Sequence, residues 1–451
     1  MTVIGSRHNL KMNDFNKELD NLLPTFCATP FVSLMVNTDA TVRYCCMVKG
    51  ALNKVKKPDG TPYTCKDQFV KEAWNSKDMR DIRTAMVSGD KVEGCSTCYL
   101  QEASGRVSNR QHSNMEWANR LGKDKIYDLI DKAILSNGEL DNNIAYLDLR
   151  LGNLCNLKCR MCNPYNSSQI AKEHTELTNA DPNYARVWST AFGKFNTKIM
   201  EVQEWFDQDI LWDQVIALVP SLQKVYMTGG EPTLISNNFK FMQACIDQGR
   251  TDITLFFNTN CTNINKKFLN LISQFDRVLI NASLDGTGVV NEYIRSPSNW
   301  QMVSDNIEQL AQMPNVTLGI TPTVQVYNIF NLTELLRWSD YLNKKYKTNS
   351  FVDFLINVHP FHLSVGILPD NIRQQVAQEL IDYRDNKFTV LTPELTRNST
   401  EGIIGLLQRP RAEDFQKQLV DFKDYTLSLD RARNQNIADV DSRLLELIND
   451  I

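Results

Sequence analysis

Three thiols stand within eight residues of one another in "LRLGNLCNLKCRMCNPYN", residues 149–166: Cys155, Cys159 and Cys162. A structural zinc site closes its tetrahedron with four protein ligands. No histidine or further cysteine lies nearby in the chain to complete one here. Three thiolates from one loop can instead hold three irons of a [4Fe–4S] cube and leave the fourth iron open to a small ligand. Asn, Lys and Arg flank the cysteines, which argues against a core turn that uses cysteine only as a small hydrophobe. The loop directly follows a run that alternates like a β-strand.

The rest of the chain must position that loop. With 451 residues, it is long enough for two or three domains with full cores. A composition of 42% hydrophobic, 23% charged and 9% aromatic residues is that of an ordinary soluble globular protein. A formal charge of −4 provides no global basic field for a polyanion, so nucleic acid is not indicated. The first thirty residues contain no signal peptide pattern, and no window of eighteen apolar residues occurs, so no membrane association and a cytoplasmic location are expected. In that reducing setting the eleven clustered cysteines favour metal or redox use over disulfides.

Residues 31–46, "FVSLMVNTDATVRYCC", read as a hairpin with "NTDA" as its turn, and the helical pattern after residue 67 stops at Gly89. Six β-rich runs follow, "IAYLDLRLG", "KVYMTGG", "DITLFFNTN", "RVLINASLDG", "NVTLGITPTVQV" and "FVDFLINVHP", separated by segments long enough for helices. Such alternation implies a parallel α/β sheet, with reactive groups at the carboxyl ends of its strands. The expected organisation is a small cysteine-rich α+β domain over residues 1–120, a linker helix over 121–142, the α/β domain over 143–370 and a helical region over 371–451.

The pattern C-x-x-x-C-x-x-C in "CNLKCRMC", followed after the next strand by "TGGEP", resembles the radical SAM superfamily. The resemblance implies a partial (β/α)6 TIM-type barrel, a [4Fe–4S] cluster on Cys155, Cys159 and Cys162, and S-adenosylmethionine (SAM) on the open iron. It assigns the SAM amino group to Gly229, Gly230, Glu231 and Pro232. It also extends to Asn258 and Asn260 of "NTN", Ser283 and Asp285 of "SLDG", and Arg295 as a carboxylate-binding group. Met161 stands where many members have an aromatic residue that packs on adenine. A thioether can also contact a ring.

A second cysteine group, Cys46, Cys65, Cys95 and Cys98, resembles the twitch/SPASM auxiliary-cluster domains, in which C-x(9–15)-G-x(4)-C is followed after a helix by more cysteines. Gly60 lies five residues before Cys65, and Cys45 is an alternative to Cys46. Here the group precedes the barrel, whereas in most such enzymes it follows. The resemblance implies an auxiliary [4Fe–4S] cluster, and four thiolates could equally hold a structural zinc.

Together these features imply an enzyme that reductively cleaves SAM to methionine and a 5′-deoxyadenosyl radical, which takes a hydrogen atom from a substrate. An electron donor such as flavodoxin or ferredoxin would supply the electron. Enzymes with this auxiliary type often crosslink, oxidise or epimerise peptides or proteins, which makes a peptide the expected substrate. RNA modification and a non-catalytic metal-stabilised binding protein are the alternatives. Cys261, directly after "NTN", is a candidate hydrogen-atom donor, with a buried packing residue as the plainer reading. The long stretch between Cys162 and Gly229, with Trp188, Trp205 and Trp212, is a candidate cover over the barrel mouth, with ordinary core as the competing reading.

Overall fold

The computed structural model describes residues 12–48, 50–193 and 204–451. The chain divides into two compact units, Met1–Gly152 with Glu204–Gly229 and Asn237–Leu255, and Asn153–Gln203 with Gly230–Ser236 and Phe256–Ile451.

In the first unit β1 (Ser33–Val36), β2 (Val42–Arg43), β3 (Tyr146–Leu151) and β4 (Lys224–Gly229) pair in the order β2-β1-β3-β4. The expected hairpin is present: β1 runs antiparallel to β2, Met35 opposite Arg43. Its turn places Ala40 at φ 64°, and the Asp39 carboxylate holds it by accepting from the Thr41 hydroxyl at 2.6 Å and the Thr41 N–H at 3.3 Å. β1 is also parallel to β3, and β3 to β4, with Leu151 opposite Gly229.

Alternation along β3 sends Leu147, Leu149 and Leu151 into the core and sets Tyr146, Asp148 and Arg150 on the other face. There the Asp148 carboxylate accepts two hydrogen bonds from the Arg150 guanidinium, at 3.0 and 3.1 Å. Helix Lys77–Ser88 ends at Gly89, whose φ of 81° suits a left-handed cap. Trp205 and Trp212 are buried, and the Trp205 indole N–H donates to the Thr38 carbonyl at 3.2 Å, so both serve as core.

The second unit takes the last four residues of β5 (Thr254–Thr259), followed in order by β6 (Val278–Ala282), β7 (Val316–Ile320) and β9 (Phe351–Val352). β6 and β7 are parallel, as are β7 and β9. β8 (Thr323–Val324) and β10 (Leu355–Ile356) form a separate parallel pair. The strand expected over 315–326 is therefore split; Pro322, lacking an N–H, cannot continue the ladder. Helices Asp370–Lys387, Glu394–Leu407, Phe415–Arg433 and Ser442–Asn449 make up the expected helical C-terminal region. The result is a mostly parallel α/β fold, with no closed barrel among the described residues, as a partial barrel requires.

Helix Phe415–Arg433 fixes the cysteine loop. Arg160 has no access to solvent. Its guanidinium donates to the Asp430 carboxylate at 2.5 Å and the Tyr293 carbonyl at 3.1 Å, and lies 3.6 Å from the Tyr293 ring centroid. The Arg160 carbonyl accepts from the Tyr425 hydroxyl at 2.8 Å. Beside it Glu173 pairs with Lys158 and Arg433. Removing one partner of a buried pair strands the other. Asp430→Ala is therefore expected to destabilise the protein by about 3–5 kcal/mol, read as a lower urea midpoint, and Arg160→Met added to it should recover part of the loss. An unchanged midpoint for Asp430→Ala would show that the pair does not hold the loop.

Candidate metal and cofactor site

The cysteine loop has almost no regular structure; the Arg160 N–H donates to the Ile294 carbonyl at 2.9 Å and the Cys162 N–H to the Cys159 carbonyl at 3.0 Å, and side chains add further hydrogen bonds. The Ser167 hydroxyl donates to the Leu157 carbonyl at 2.7 Å and caps helix Ser168–Ala180, and the Asn153 amide donates to the Pro164 carbonyl at 3.1 Å. Cys159 is buried; Cys155 and Cys162 are half-buried. Burial pushes all three thiols up, Cys162 to about 12, and a charge on Cys159 raises the other two further. The Arg295 guanidinium opposes this on Cys159, donating to its sulfur at 3.8 Å. Metal binding needs thiolates, so a nearby buried cation favours the ligating form.

Among the described residues, no three His, Cys, Asp or Glu side chains converge closely enough to ligate one ion. Three thiols carried on one loop suit a cube, whose irons stand at separate corners.

"GGEP" lies directly against this loop. A Cβ on Gly230 would stand 2.1 Å from the Leu154 carbonyl oxygen, so only glycine fits. The Glu231 N–H donates to that same carbonyl at 2.8 Å. Glu231 itself is buried, and burial pushes its carboxyl up against the hydrogen bonds that favour the charge. Its Oε1 accepts from the Thr233 N–H (3.1 Å), the Thr233 hydroxyl (2.7 Å) and the Thr259 hydroxyl (2.7 Å), and its Oε2 from the Asn260 N–H (2.7 Å). The Asn260 amide continues to Asn156 at 3.0 Å. One carboxylate thus ties "GGEP" and the "NTN" turn together, and Asn260 links both to the cysteine loop.

The remaining expected residues are distributed as follows. Asn258 Oδ1 is buried with no hydrogen-bond partner among the described residues. The Ser283 N–H donates to the Thr259 carbonyl at 2.8 Å. Arg295 and Asp285 are both buried and pair at 2.7 Å, and Asp285 also accepts from the Thr323 N–H at 2.8 Å. Arg295 therefore serves the Asp285 carboxylate and the Cys159 sulfur. Pro232 is buried and Met161 half-buried. Cys261 is wholly buried at φ 58°, its N–H on the Thr259 hydroxyl and its carbonyl on Asn306, and burial raises its thiol strongly. These features favour packing over hydrogen donation. Three neighbouring thiols beside a backbone that only glycine fits are compatible with a cluster and SAM held here.

The N-terminal cysteines assemble differently from their spacing. Cys95 and Cys98 line one narrow pocket in the first unit together with Cys27 and Cys45. Neither Cys46 nor Cys65 lines it. Cys46 is exposed and lies beside Asp148 and Arg150, and its thiol is lowered to about 7 chiefly by a hydrogen bond with Cys45. Cys65 is fully buried, and the charges acting on it are those of Lys66 and Asp67. Cys27, which the sequence reading did not single out, lies in this pocket, and the stretch that follows it lacks the pattern's glycine. Twelve residues separate Cys27 from Ala40 and four separate Ala40 from Cys45, and Ala40 takes the left-handed φ that glycine would favour. Gly94, before Cys95, has no room for a side chain: a Cβ would overlap the Tyr44 hydroxyl.

Residues 149–338, less than half of the chain, match the family model described as the Radical SAM superfamily. No curated protein matches the sequence. Among solved structures the chain is similar to native anSMEcpe with bound AdoMet, at 14% identity over 51% of this chain and 57% of that one, TM-score 0.34. It is also similar to Streptococcus suis SuiB, at 13% identity over 69% and 63%, TM-score 0.34. TYW1 with a lysine-pyruvate adduct bound aligns at 14% identity over 51% and 70%, TM-score 0.27. The chain thus spans less than two thirds of anSMEcpe and of SuiB.

Whichever way a glutamine is oriented at position 231, its NH2 faces a backbone N–H, of Asn260 or of Thr233. Glu231→Gln is therefore expected to cost about 1–3 kcal/mol of stability, measured by denaturant unfolding. No loss would mean that the carboxylate does not bind the loops together.

Proposed function

We propose that this protein is a radical SAM enzyme that modifies a peptide or protein, by crosslinking, oxidation or epimerisation. The observation that carries the reading is the hydrogen-bonded assembly of the three-cysteine loop, "GGEP" and "NTN" around one buried carboxylate, within the segment that matches the superfamily. Cys155, Cys159 and Cys162 would hold the [4Fe–4S] cluster, the "GGEP" backbone and Asn258 would receive SAM, and Arg295 would favour thiolate at Cys159. A bound cluster would supply the electron for reductive SAM cleavage, and with it the radical chemistry that removes a hydrogen atom from the substrate. This chain's part is to orient the ligands and exclude water. A flavodoxin or ferredoxin is the proposed donor.

The peptide substrate rests on the resemblance of the N-terminal cysteines to auxiliary-cluster domains, and a second [4Fe–4S] site there is part of the same reading, with zinc the other occupant. No described helix is long and apolar enough to cross a membrane; a cytoplasmic location is part of the same proposal.

RNA modification would call for a basic, aromatic-lined face. A surface cleft with Arg337, Tyr341, Lys344, Lys345, Tyr383 and Lys387 has that composition. Its charges are largely matched, Arg337 by Glu334 and Lys345 by Glu308, with Asp340 also in the cleft. It offers no continuous cationic track for phosphates.

Anaerobically reconstituted protein with dithionite and SAM is expected to release 5′-deoxyadenosine, and the Cys155→Ala/Cys159→Ala/Cys162→Ala variant to release none. Product formation by the triple variant would overturn the assignment.

A further inference from the structure

We propose that the pocket of Cys27, Cys45, Cys95 and Cys98 is a closed four-thiolate [4Fe–4S] site whose reduction potential is set by Arg110. The inference rests on the auxiliary-cluster reading above and goes beyond it in the ligand set and in the residue that tunes it.

The four thiols come from separate segments. Cys27 precedes the short helix Thr29–Val32, Cys45 follows β2, Cys95 ends the turn Glu93–Cys95, and Cys98 lies in helix Ser96–Ala103. Together they line one narrow pocket, and thiols brought in from different parts of the chain can each take a separate corner of a cube. Four protein thiolates leave no iron open, so this site would carry electrons and not bind SAM.

A cubane with four thiolates is a dianion when oxidised and gains another negative charge on reduction. In a pocket walled by Pro30, Met47, Val48 and Met86, that charge meets little dielectric screening. Arg110 is the one charged side chain among the described residues lining the pocket. Its guanidinium is pinned: it donates to the Phe26 carbonyl, one residue before Cys27, at 2.9 Å, to Glu102 at 2.8 and 2.9 Å, and pairs with Asp20 at 2.9 Å. Side-chain exposure is 3% for Arg110, 19% for Glu102 and 27% for Asp20. The cation is thus the least screened of the three charges, and its net effect is to favour the electron's arrival. Cluster potentials respond to local charge and burial in this way.

The test uses the full-length Cys155→Ala/Cys159→Ala/Cys162→Ala protein, reconstituted anaerobically, so that only this site contributes. It is expected to hold iron and sulfide with the EPR signal of a reduced [4Fe–4S] cluster, unchanged by added SAM. Cys27→Ser and Cys45→Ser in that background should lose the cluster or alter its signal, while Cys46→Ser and Cys65→Ser leave it intact. One electron from dithionite reduces the cluster with no bond made or broken. In an EPR-monitored titration, Arg110→Gln should lower the reduced-to-oxidised ratio at fixed potential about tenfold, a shift of about 59 mV. Arg110→Lys should restore most of it. Glu102→Gln and Asp20→Asn should shift the potential in the opposite direction, and they carry the test if Arg110→Gln fails to fold.

Equal potentials in all variants, or shifts of one sign, would overturn the role of Arg110 while leaving the cluster. Retention of the cluster in Cys27→Ser and Cys45→Ser with its loss in Cys46→Ser and Cys65→Ser would overturn the ligand set. Zinc without iron, or no metal, in the triple variant would overturn the auxiliary-cluster reading itself.

Discussion

A guanidinium sealed from water immediately after Cys159 constrains everything around the three-thiol loop. Arg160 cannot be solvated, so Asp430, the Tyr293 carbonyl and the Tyr293 ring must come to it. Those groups lie on two different helices and their ends, and both must be in place before the loop is. The loop lacks secondary structure of its own, and its order is therefore borrowed. This explains why a helix far along the chain, Phe415–Arg433, bears on residues near 160.

The same economy recurs at Glu231. A buried carboxylate is expensive unless several donors meet it, and four donors do, from three residues. Charge buried for structural reasons thus joins loops that strand pairing alone would leave independent. Arg295 adds the third instance: its partners Asp285 and Cys159 lie on different loops. Three polar contacts, each costly to desolvate, specify one arrangement of otherwise irregular backbone.

Much of this was legible in the sequence. The alternating runs gave the strands, Gly89 marked the helix end it forms, and the three cysteines and "GGEP" do lie together. What stayed hidden depends on contacts remote in sequence. Spacing around Gly60, a glycine that advertises a left-handed turn, singled out Cys46 and Cys65, whereas the pocket that Cys95 and Cys98 line also holds Cys27 and Cys45, on either side of Ala40 in the sequence. Arg295 read as a carboxylate-binding arginine, and nothing local reveals that the carboxylate it meets in the structure is that of Asp285. Cys261 sits at the strand end that the pattern indicated, yet the Thr259 and Asn306 contacts that enclose it belong to no motif.

The parallel pairing of β1 with β3 bears on how such a chain could have arisen and how it can be dissected. A cysteine-bearing segment that contributes a strand to its neighbour's sheet is not a detachable cassette. Cutting it away would leave one side of β3 with bare N–H and C=O groups, a ready template for aggregation. Shuffling the segment to the other end of the chain would require another strand to close that edge. The order of the cysteine groups along this chain is thus tied to the sheet itself.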